Sequence, residues 1–425
     1  MQASIVIDVG FGDSGKGLVT DYLVEECLRH SAAPADCLVV RFSGGHQAGH
    51  TVVRDGRRHV FSNFGAGSLQ QVDSFYSRHT IIFAPAILLE HSSLPGSVRL
   101  YIDPHAEMAT PYDIAWNQVV SSRLGHGTCG LGIGPTVQRS RAGLLLKALD
   151  LSNPWILANK LDSIRNYYEH LDLSRYTSDP YNNSHVRRAG LQNREPDSGL
   201  QAVDWSKVQS QWANEVDHLD MDYFQEQCRT LYESKWFSLI SFAEAITARS
   251  RTARVIFEGS QGVLLDQRHG IYPHVTWAHT TSRNAWELIG QSDKFQAIDI
   301  TYVSRTYLTR HGAGPLPLRP LDASGLQNFA AETNQGNVWQ GDLRLAELDP
   351  ALLQYALDCD QSYHQPGLGA IQKNLVISCL DQRPSFDPGG LLHSLRTPFQ
   401  NVYGSYGPRA SDIQLLAYPG RGRSP

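Results

Sequence analysis

The short apolar run Ser4–Val9 (SIVIDV) passes directly into Gly10–Gly17 (GFGDSGKG), and Leu18–Leu28 then shows helical apolar spacing. Strand, glycine-rich loop and helix in that order point to an α/β domain whose first loop holds an anion at the carboxyl end of a strand. Gly10 and Gly15–Lys16 satisfy the G-x-x-x-x-G-K spacing of a phosphate loop. Small residues let successive backbone N–H groups converge on phosphate oxygens, the helix N-terminus adds partial positive charge, and Lys16 adds a full one. The next residue is Gly17, where a standard phosphate loop has the Ser or Thr that holds magnesium, so a metal here needs another ligand. Asp13 would repel phosphate. It makes sense as a magnesium ligand, as a base that takes a proton from substrate, or as both; its plainer reading is a helix cap.

Three further strand-to-loop transitions repeat the pattern: Cys37–Phe42 into Ser43–His50 (SGGHQAGH), Arg254–Phe257 into Glu258–Gly262, and Ala297–Val303 into Thr309–Pro317. The alternation predicts an α/β fold, a central and mostly parallel β-sheet with surrounding helices and ligands at the carboxyl ends of the strands. From about 159 the chain turns polar and includes Ser178–Ser184 (SDPYNNS). Helical candidates Asp204–Asp217, with Asp204 as N-cap, and Asp222–Ala248 follow. They predict a helical subdomain inserted at about 159–250 within a single domain spanning 1–425. The tail Tyr418–Pro425 reads as frayed.

Composition limits the partners. The 425 residues carry 37 Lys+Arg against 42 Asp+Glu, a formal charge of −5, whereas binding nucleic acid by bulk charge needs a cationic surplus. Any anion must be held locally. No run approaches the ~18 apolar residues of a membrane span, and the chain starts on a strand, so a cytoplasmic protein without membrane contact is expected. Six scattered cysteines without a C-x-x-C pair read as free thiols rather than a zinc site.

The blocks GDSGKG and Ser43–Thr51 (SGGHQAGHT) resemble those of adenylosuccinate synthetases, which read G-D-E-G-K-G and G-G-H-N-A-G-H-T. The likeness continues in order through Gly127–Pro135 (GTCGLGIGP), Glu258–Asp266 (EGSQGVLLD), His269–Thr276 (HGIYPHVT), Thr280–Thr281 and Thr309–Pro317 (TRHGAGPLP). It implies a GTP-dependent ligase, acting as a homodimer, that joins the amino group of aspartate to C6 of a 6-oxopurine nucleotide. On this resemblance Asp13 is the catalytic base, His50 the histidine that stabilises charge on O6 and the transferring phosphoryl group, and Lys16 a neutralising cation. Magnesium would sit between Asp13, the Gly49 carbonyl and phosphate oxygens. Gly12, Gly15, Lys16 and Gly17 would hold the nucleoside triphosphate. Ser378–Asp381 (SCLD) and Ser405–Pro408 (SYGP), similar to T-K-L-D and S-T-G-P, would place Asp381, Ser405, Gly407 and Pro408 around its base, where Asp381 can accept from guanine N1–H and the 2-amino group. Gln47, Thr128, Gln261, Thr276 and His311 would line the acceptor nucleotide. Arg141, with Arg139 as the alternative, would reach the acceptor phosphate of the neighbouring subunit.

The chain also departs from the pattern. Ser14 replaces an acidic residue, Gln47 an asparagine, His311 an apolar residue lining the ribose, and Cys379 the lysine that covers the base. The arginine-rich T-T-G-R-R-R-R loop has no counterpart in Asn334–Arg344 (NQGNVWQGDLR), which leaves Arg344, Arg310 and Arg305 as candidates for the carboxylates of the amine donor. These changes leave open a (deoxy)guanylate acceptor, as in viral relatives that make a diaminopurine precursor, another amine donor, ATP or dATP as energy source, or a non-catalytic nucleotide-binding homologue.

Overall fold

The computed structural model describes residues 1–30, 34–124, 128–171, 204–312, 314–329 and 339–416. The polar segment at 178–184 and the tail expected to fray at 418–425 lie outside the described residues. The strands are β1 (Gln2–Asp8), β2 (Cys37–Arg41), β3 (His50–Arg54), β4 (Arg57–Phe61), β5 (Asp73–Tyr76), β6 (Ile81–Ile82), β7 (Leu100–Ile102) and β8 (Glu107–Met108). Then come β9 (Phe237–Leu239), β10 (Arg254–Gly262), β11 (Ala297–Arg305), β12 (Tyr307–His311), β13 (Leu343–Glu347), β14 (Ala370–Ser378), β15 (Asn401–Ser405) and β16 (Ile413–Leu415). Ten of them form one sheet in the order β16-β15-β14-β11-β1-β10-β2-β5-β7-β9. Every pair in it is parallel except β15 with β16. The expected α/β architecture with a mostly parallel sheet is therefore present.

β1 lies in the middle because its residues serve both faces of the sheet. Ile5 and Ile7 pack with Phe257, Trp286 and Ile300 on one side, while Val6 packs with Val19 and Val24 of helix α1 (Lys16–Arg29) on the other. Burial on both faces accounts for the unbroken apolar run, and each such side chain contributes about 1.5–3 kcal/mol when removed from water. The loops after β1, β2, β10 and β11 meet at the carboxyl edge of the sheet.

Three local expectations change. Glu258–Gly262 is strand rather than loop, since β10 runs on to Gly262 beside Asp8, with a register shift after Val6. Thr309–His311 likewise belongs to β12, paired antiparallel with β13. The helix expected over Asp222–Ala248 is divided: Met221–Glu233 ends at Ser234, β9 joins the main sheet beside β7, and a capping box of Ser241 with Glu244 starts a new helix, Phe242–Thr247. Asp204 does cap Trp205–Asp217, accepting from the amides of Ser206 and Lys207. Trp212 of that helix stands edge-on to Trp116 at 4.9 Å and donates to the Tyr168 carbonyl, which ties the helical region together. Among the described residues no helix is long and apolar enough to cross a membrane.

Arg139 belongs to this frame and not to a ligand site. Its guanidinium is fully buried, donates to both carboxylate oxygens of Asp113 at 2.8 and 3.0 Å and to the Leu144 carbonyl at 2.7 Å, and the Tyr168 hydroxyl completes the cluster on Asp113. Breaking a buried pair on one side leaves a charge without compensation. Arg139→Met should therefore cost about 3–5 kcal/mol in denaturant unfolding, whereas Arg141→Ala, on the exposed face of the same helix, should stay within about 0.5 kcal/mol.

Candidate functional site

The loop between β1 and α1 turns through left-handed conformations at Gly12 (φ 104°), Asp13 (φ 61°) and Gly15 (φ 99°), and ends on the N-terminus of α1 at Lys16. It rests on Gly262, where a Cβ would stand 2.1 Å from the Gly10 carbonyl oxygen. Gly17 explains the missing hydroxyl. The backbone of the second loop lies so close that a Cβ there would meet His50 Cβ at 2.9 Å and the Thr51 oxygen at 3.1 Å. From beneath, the carboxylate of Asp8 accepts from the amides of Gly10 (2.8 Å) and Ser14 (3.0 Å) and from Lys16 Nζ (3.0 Å). Burial pushes the Asp8 carboxyl up, but the Lys16 charge and these bonds outweigh it and hold it below the usual carboxylate range.

His50 opens β3 and is buried against β10. Its Nδ1 lies 2.6 Å from Glu258 Oε1 and its Nε2 3.2 Å from the Ser260 carbonyl. Arg41, at the end of β2, comes within 3.9 Å of Glu258 and donates to the Ala48 carbonyl. Burial and then the Arg41 charge push the His50 imidazole below its ordinary range, with Glu258 pulling the other way. Glu258 itself stays below the carboxylate range because His50 and Arg41 outweigh its burial. A histidine backed by a carboxylate in this way has its tautomer fixed, with the Nδ1 proton toward Glu258. His46, in the same loop, is buried and stacks on Phe83 at 5.4 Å with neither ring nitrogen hydrogen-bonded among the described residues, and burial holds its imidazole down at about 4.

A single cavity of about 1520 Å³ runs along this edge of the sheet. Its wall includes Gly12, Asp13, Gly15, Lys16 and Gly17 of the first loop, Gln47, Gly49 and His50 of the second, and Thr128, Arg141, Gln261, Thr276, Arg310 and His311. Asp381, Gly407 and Pro408 line its far end, about the strand ends of β14 and β15. Ser405 stands behind that wall, where its hydroxyl donates to the Gly407 carbonyl at 2.7 Å. Among the described residues several buried polar atoms have no hydrogen-bond partner: Oε1 of Gln47 and of Gln261, and both ring nitrogens of His311, whose Nε2 is 3.7 Å from Asp13. Orphaned groups of this kind are costly unless a polar ligand meets them. Thr128 instead donates to Asn117 at 2.9 Å, and the Thr276 amide to the Leu265 carbonyl. Arg141 lies 5.0 Å over the Trp277 ring.

The three arginines considered for a carboxylate divide. Arg305 is spent largely on the first loop: Nε donates to the Asp13 carbonyl at 2.6 Å and NH1 to the Tyr307 hydroxyl at 2.9 Å. Arg310 and Arg344 are directly opposite each other on β12 and β13. Arg310 donates to the carbonyls of Pro315 and His274 and lies 4.4 Å over the Phe11 ring. Arg344 stands off the cavity wall, donates to the Gly314 carbonyl and has a buried Nε without partner. Among the described residues neither guanidinium pairs with a carboxylate, and burial together with Arg344 brings Arg310 down to about 10. Trp339 packs against Gly130, where a Cβ would stand 2.8 Å from its ring, and its carbonyl accepts from the Thr128 amide at 3.5 Å; residues 334–338 of the departing segment lie outside the described residues. Nothing local in the sequence marks the roles of Asp8 and Arg41, and the EGSQG block alone points toward Glu258 and Gly262.

Comparison with known proteins follows this geometry. The chain matches the family described as "Adenylosuccinate synthetase" over residues 5–194 and 200–364. It is 30% identical over 334 residues to the adenylosuccinate synthetase of Xanthomonas oryzae pv. oryzae (strain MAFF 311018), covering 76% of this chain and 66% of that one. It is 29% identical to that of Bordetella avium over 361 residues, 82% of this chain and 72% of the relative. Its fold is similar to the fully ligated adenylosuccinate synthetase of Plasmodium falciparum, with a TM-score of 0.67, 18% identity, and coverage of 97% and 99% of the two chains. It is also similar to the succinoaminodeoxyadenylate synthetase (PurZ) of cyanophage S-2L bound to dGMP and dATP, with a TM-score of 0.58, 17% identity, and coverage of 97% and 95%.

Two measurements check this geometry. Glu258→Gln keeps the shape and removes the charge behind His50, and should lower kcat by roughly a hundredfold while KM for the nucleotides changes little. His46 gives a signature in stability. Its folded pKa lies below the unfolded value near 6.5, so the unfolded chain takes up a proton that the fold refuses, and stability falls as pH drops from about 6.5 to about 4. His46→Phe should flatten that slope by up to about one proton, ~1.4 kcal/mol per pH unit, in unfolding curves compared across the window.

Proposed function

Because the chain belongs to the adenylosuccinate synthetase family, we propose that it is a nucleoside-triphosphate-dependent C–N ligase that activates the 6-oxo group of a purine nucleotide and replaces it with the amino group of aspartate. The observation that carries this reading is the placement of Asp13, Lys16 and His50 on one cavity wall, from loops that a glycine at position 17 allows to touch.

A purine 6-oxo group leaves only when esterified. The Asp13 carboxylate takes the N1 proton, the electron pair moves to O6, and O6 attacks the γ-phosphorus as GDP departs. His50, protonated on both ring nitrogens with Glu258 balancing its charge, gives a hydrogen bond from Nε2 to the charge that gathers on O6 and the phosphoryl oxygens. The amine nitrogen then attacks C6, the C–O bond breaks, inorganic phosphate leaves with its electrons, and the amine proton passes to base. Lys16 and the amides of Gly12, Gly15 and Gly17 hold the triphosphate, and Asp381 reads the guanine edge. Magnesium suits this donor set: it needs few protein ligands, and the Asp13 carboxylate and the Gly49 carbonyl are hard oxygens on the same wall. Bound there, it would draw charge from the phosphates.

The acceptor would be met by Gln47, Gln261 and His311, whose unpartnered atoms ask for a polar ligand, and by Thr128 and Thr276. In a homodimer Arg141 would extend to the phosphate of the partner's acceptor. For the amine donor, Arg310 and Arg344 take the part of the missing arginine loop: like charges directly opposite on paired strands are unfavourable unless an anion joins them. Arg305 acts through the first loop instead. A second reading keeps the chemistry and takes a (deoxy)guanylate as acceptor. It is favoured by His311 beside Asp13 and by the dGMP and dATP bound to the cyanophage neighbour.

Incubation with aspartate, Mg²⁺, and GTP, ATP or dATP against IMP, dIMP, GMP and dGMP should give a succinyl adduct by mass spectrometry. Asp13→Ala and His50→Asn should each lower its formation by about a hundredfold to ten-thousandfold while the fold is kept. Nucleotide binding without an adduct from any acceptor would leave a binding protein in place of a ligase.

A further inference from the structure

Asp8 is a buried charge that the proposed chemistry does not use. It ends the central strand, is 0% exposed, and does not reach the cavity wall. Its three bonds nevertheless go to the first loop: to the amides of Gly10 and Ser14, which flank the Gly12 and Gly15 amides assigned to the triphosphate, and to Lys16. Lys16 is 4% exposed and lies between this carboxylate and the cavity. A lysine free to meet a phosphate presents a full charge to it; here the charge is already matched from below at 3.0 Å. Burying a carboxylate is costly without such partners, so the arrangement is specified rather than incidental.

We propose that Asp8 is an internal counter-ion of the phosphate loop, a positioning residue that holds Lys16 and the loop amides in place before nucleotide arrives and weakens the loop's grip on phosphates that carry no nucleoside. The inference rests on the reading of the loop as a phosphate site. An incoming phosphate meets the Lys16–Asp8 pair, not a lone cation, so inorganic phosphates bind weakly and a nucleoside triphosphate is retained through its base contacts as well. The same pairing limits how tightly the diphosphate product is held. The other charges near the loop do not serve in this way, since Arg305 binds the Asp13 carbonyl and His311 faces the Asp13 carboxylate.

The test uses inorganic pyrophosphate as probe, measured by calorimetry on the nucleotide-free protein. Asp8→Asn keeps the size and removes the charge, and should bind pyrophosphate roughly tenfold more tightly than the natural protein. Steady-state kinetics should show kcat reduced and KM for the nucleoside triphosphate unchanged or lower; a merely structural role would raise KM or reduce only the active fraction. Pyrophosphate binding in Asp8→Asn no tighter than in the natural chain overturns the inference alone, while no binding to either protein removes the phosphate-site reading together with it. If Asp8→Asn does not fold, thermal unfolding of Lys16→Met and of Lys16→Met/Asp8→Asn decides. The double variant should be the more stable of the two, because Lys16→Met alone strands a buried carboxylate. Equal or lower stability of the double variant would show that the two groups are not coupled and overturn the proposal.

Discussion

The site depends on one constraint, the parallel pairing of β1 with β10 on one side and β11 on the other. Both partners come from the second half of the chain, and parallel neighbours need long crossovers, so no local stretch could form this edge alone. Once β1 is seated, its loop must lie on Gly262, its last residue must sit beneath that loop, and Arg305 at the end of β11 must reach the Asp13 carbonyl. β2, on the far side of β10, then brings the His50 loop down on Gly17. A hydroxyl at position 17 would push these two loops apart. The geometry thus exchanges the usual phosphate-loop metal ligand for contact between a carboxylate-bearing loop and a histidine-bearing one.

Charge is arranged in the same economical way. In this acidic chain three buried cations are answered internally: Lys16 by Asp8, Arg41 by Glu258, and Arg139 by Asp113. Such pairs contribute little net stability when buried, because desolvation offsets attraction. What they fix is position, and each lies beneath a loop or helix that borders the cavity.

Much of this was legible from the sequence because it was local. The strand, the GDSGKG loop and the helix follow one another, and spacing alone identifies them; the SGGHQAGH loop is equally compact. Asp8 stands in the quoted strand, yet nothing in an apolar run shows that a carboxylate there turns under the loop that follows. Glu258 is 208 residues from His50, and only folding joins them. Arg139 and Arg141 are two apart on a helix and therefore on different faces, but periodicity does not say which face is buried. β9 was missed for another reason: three residues leave no alternation to detect, and its place depends on β7 being available as a neighbour.

The strand β12 links the two parts of the proposed chemistry that differ most from the family pattern. Arg310 and His311 are consecutive on it, so their side chains point to opposite faces. His311 stands by the Asp13 carboxylate, while Arg310 is set against Phe11 and opposite Arg344. Arginines on a mobile loop can close over a carboxylate after it binds; arginines held opposite each other on paired strands cannot travel, and their repulsion is present before the ligand arrives. On the proposed reading a carboxylate donor relieves that repulsion, and the strand that responds is the one that carries His311 to the base. On that reading the paired arginines stand in for the arginine loop, and the next residue on the strand, His311, lies 3.7 Å from Asp13.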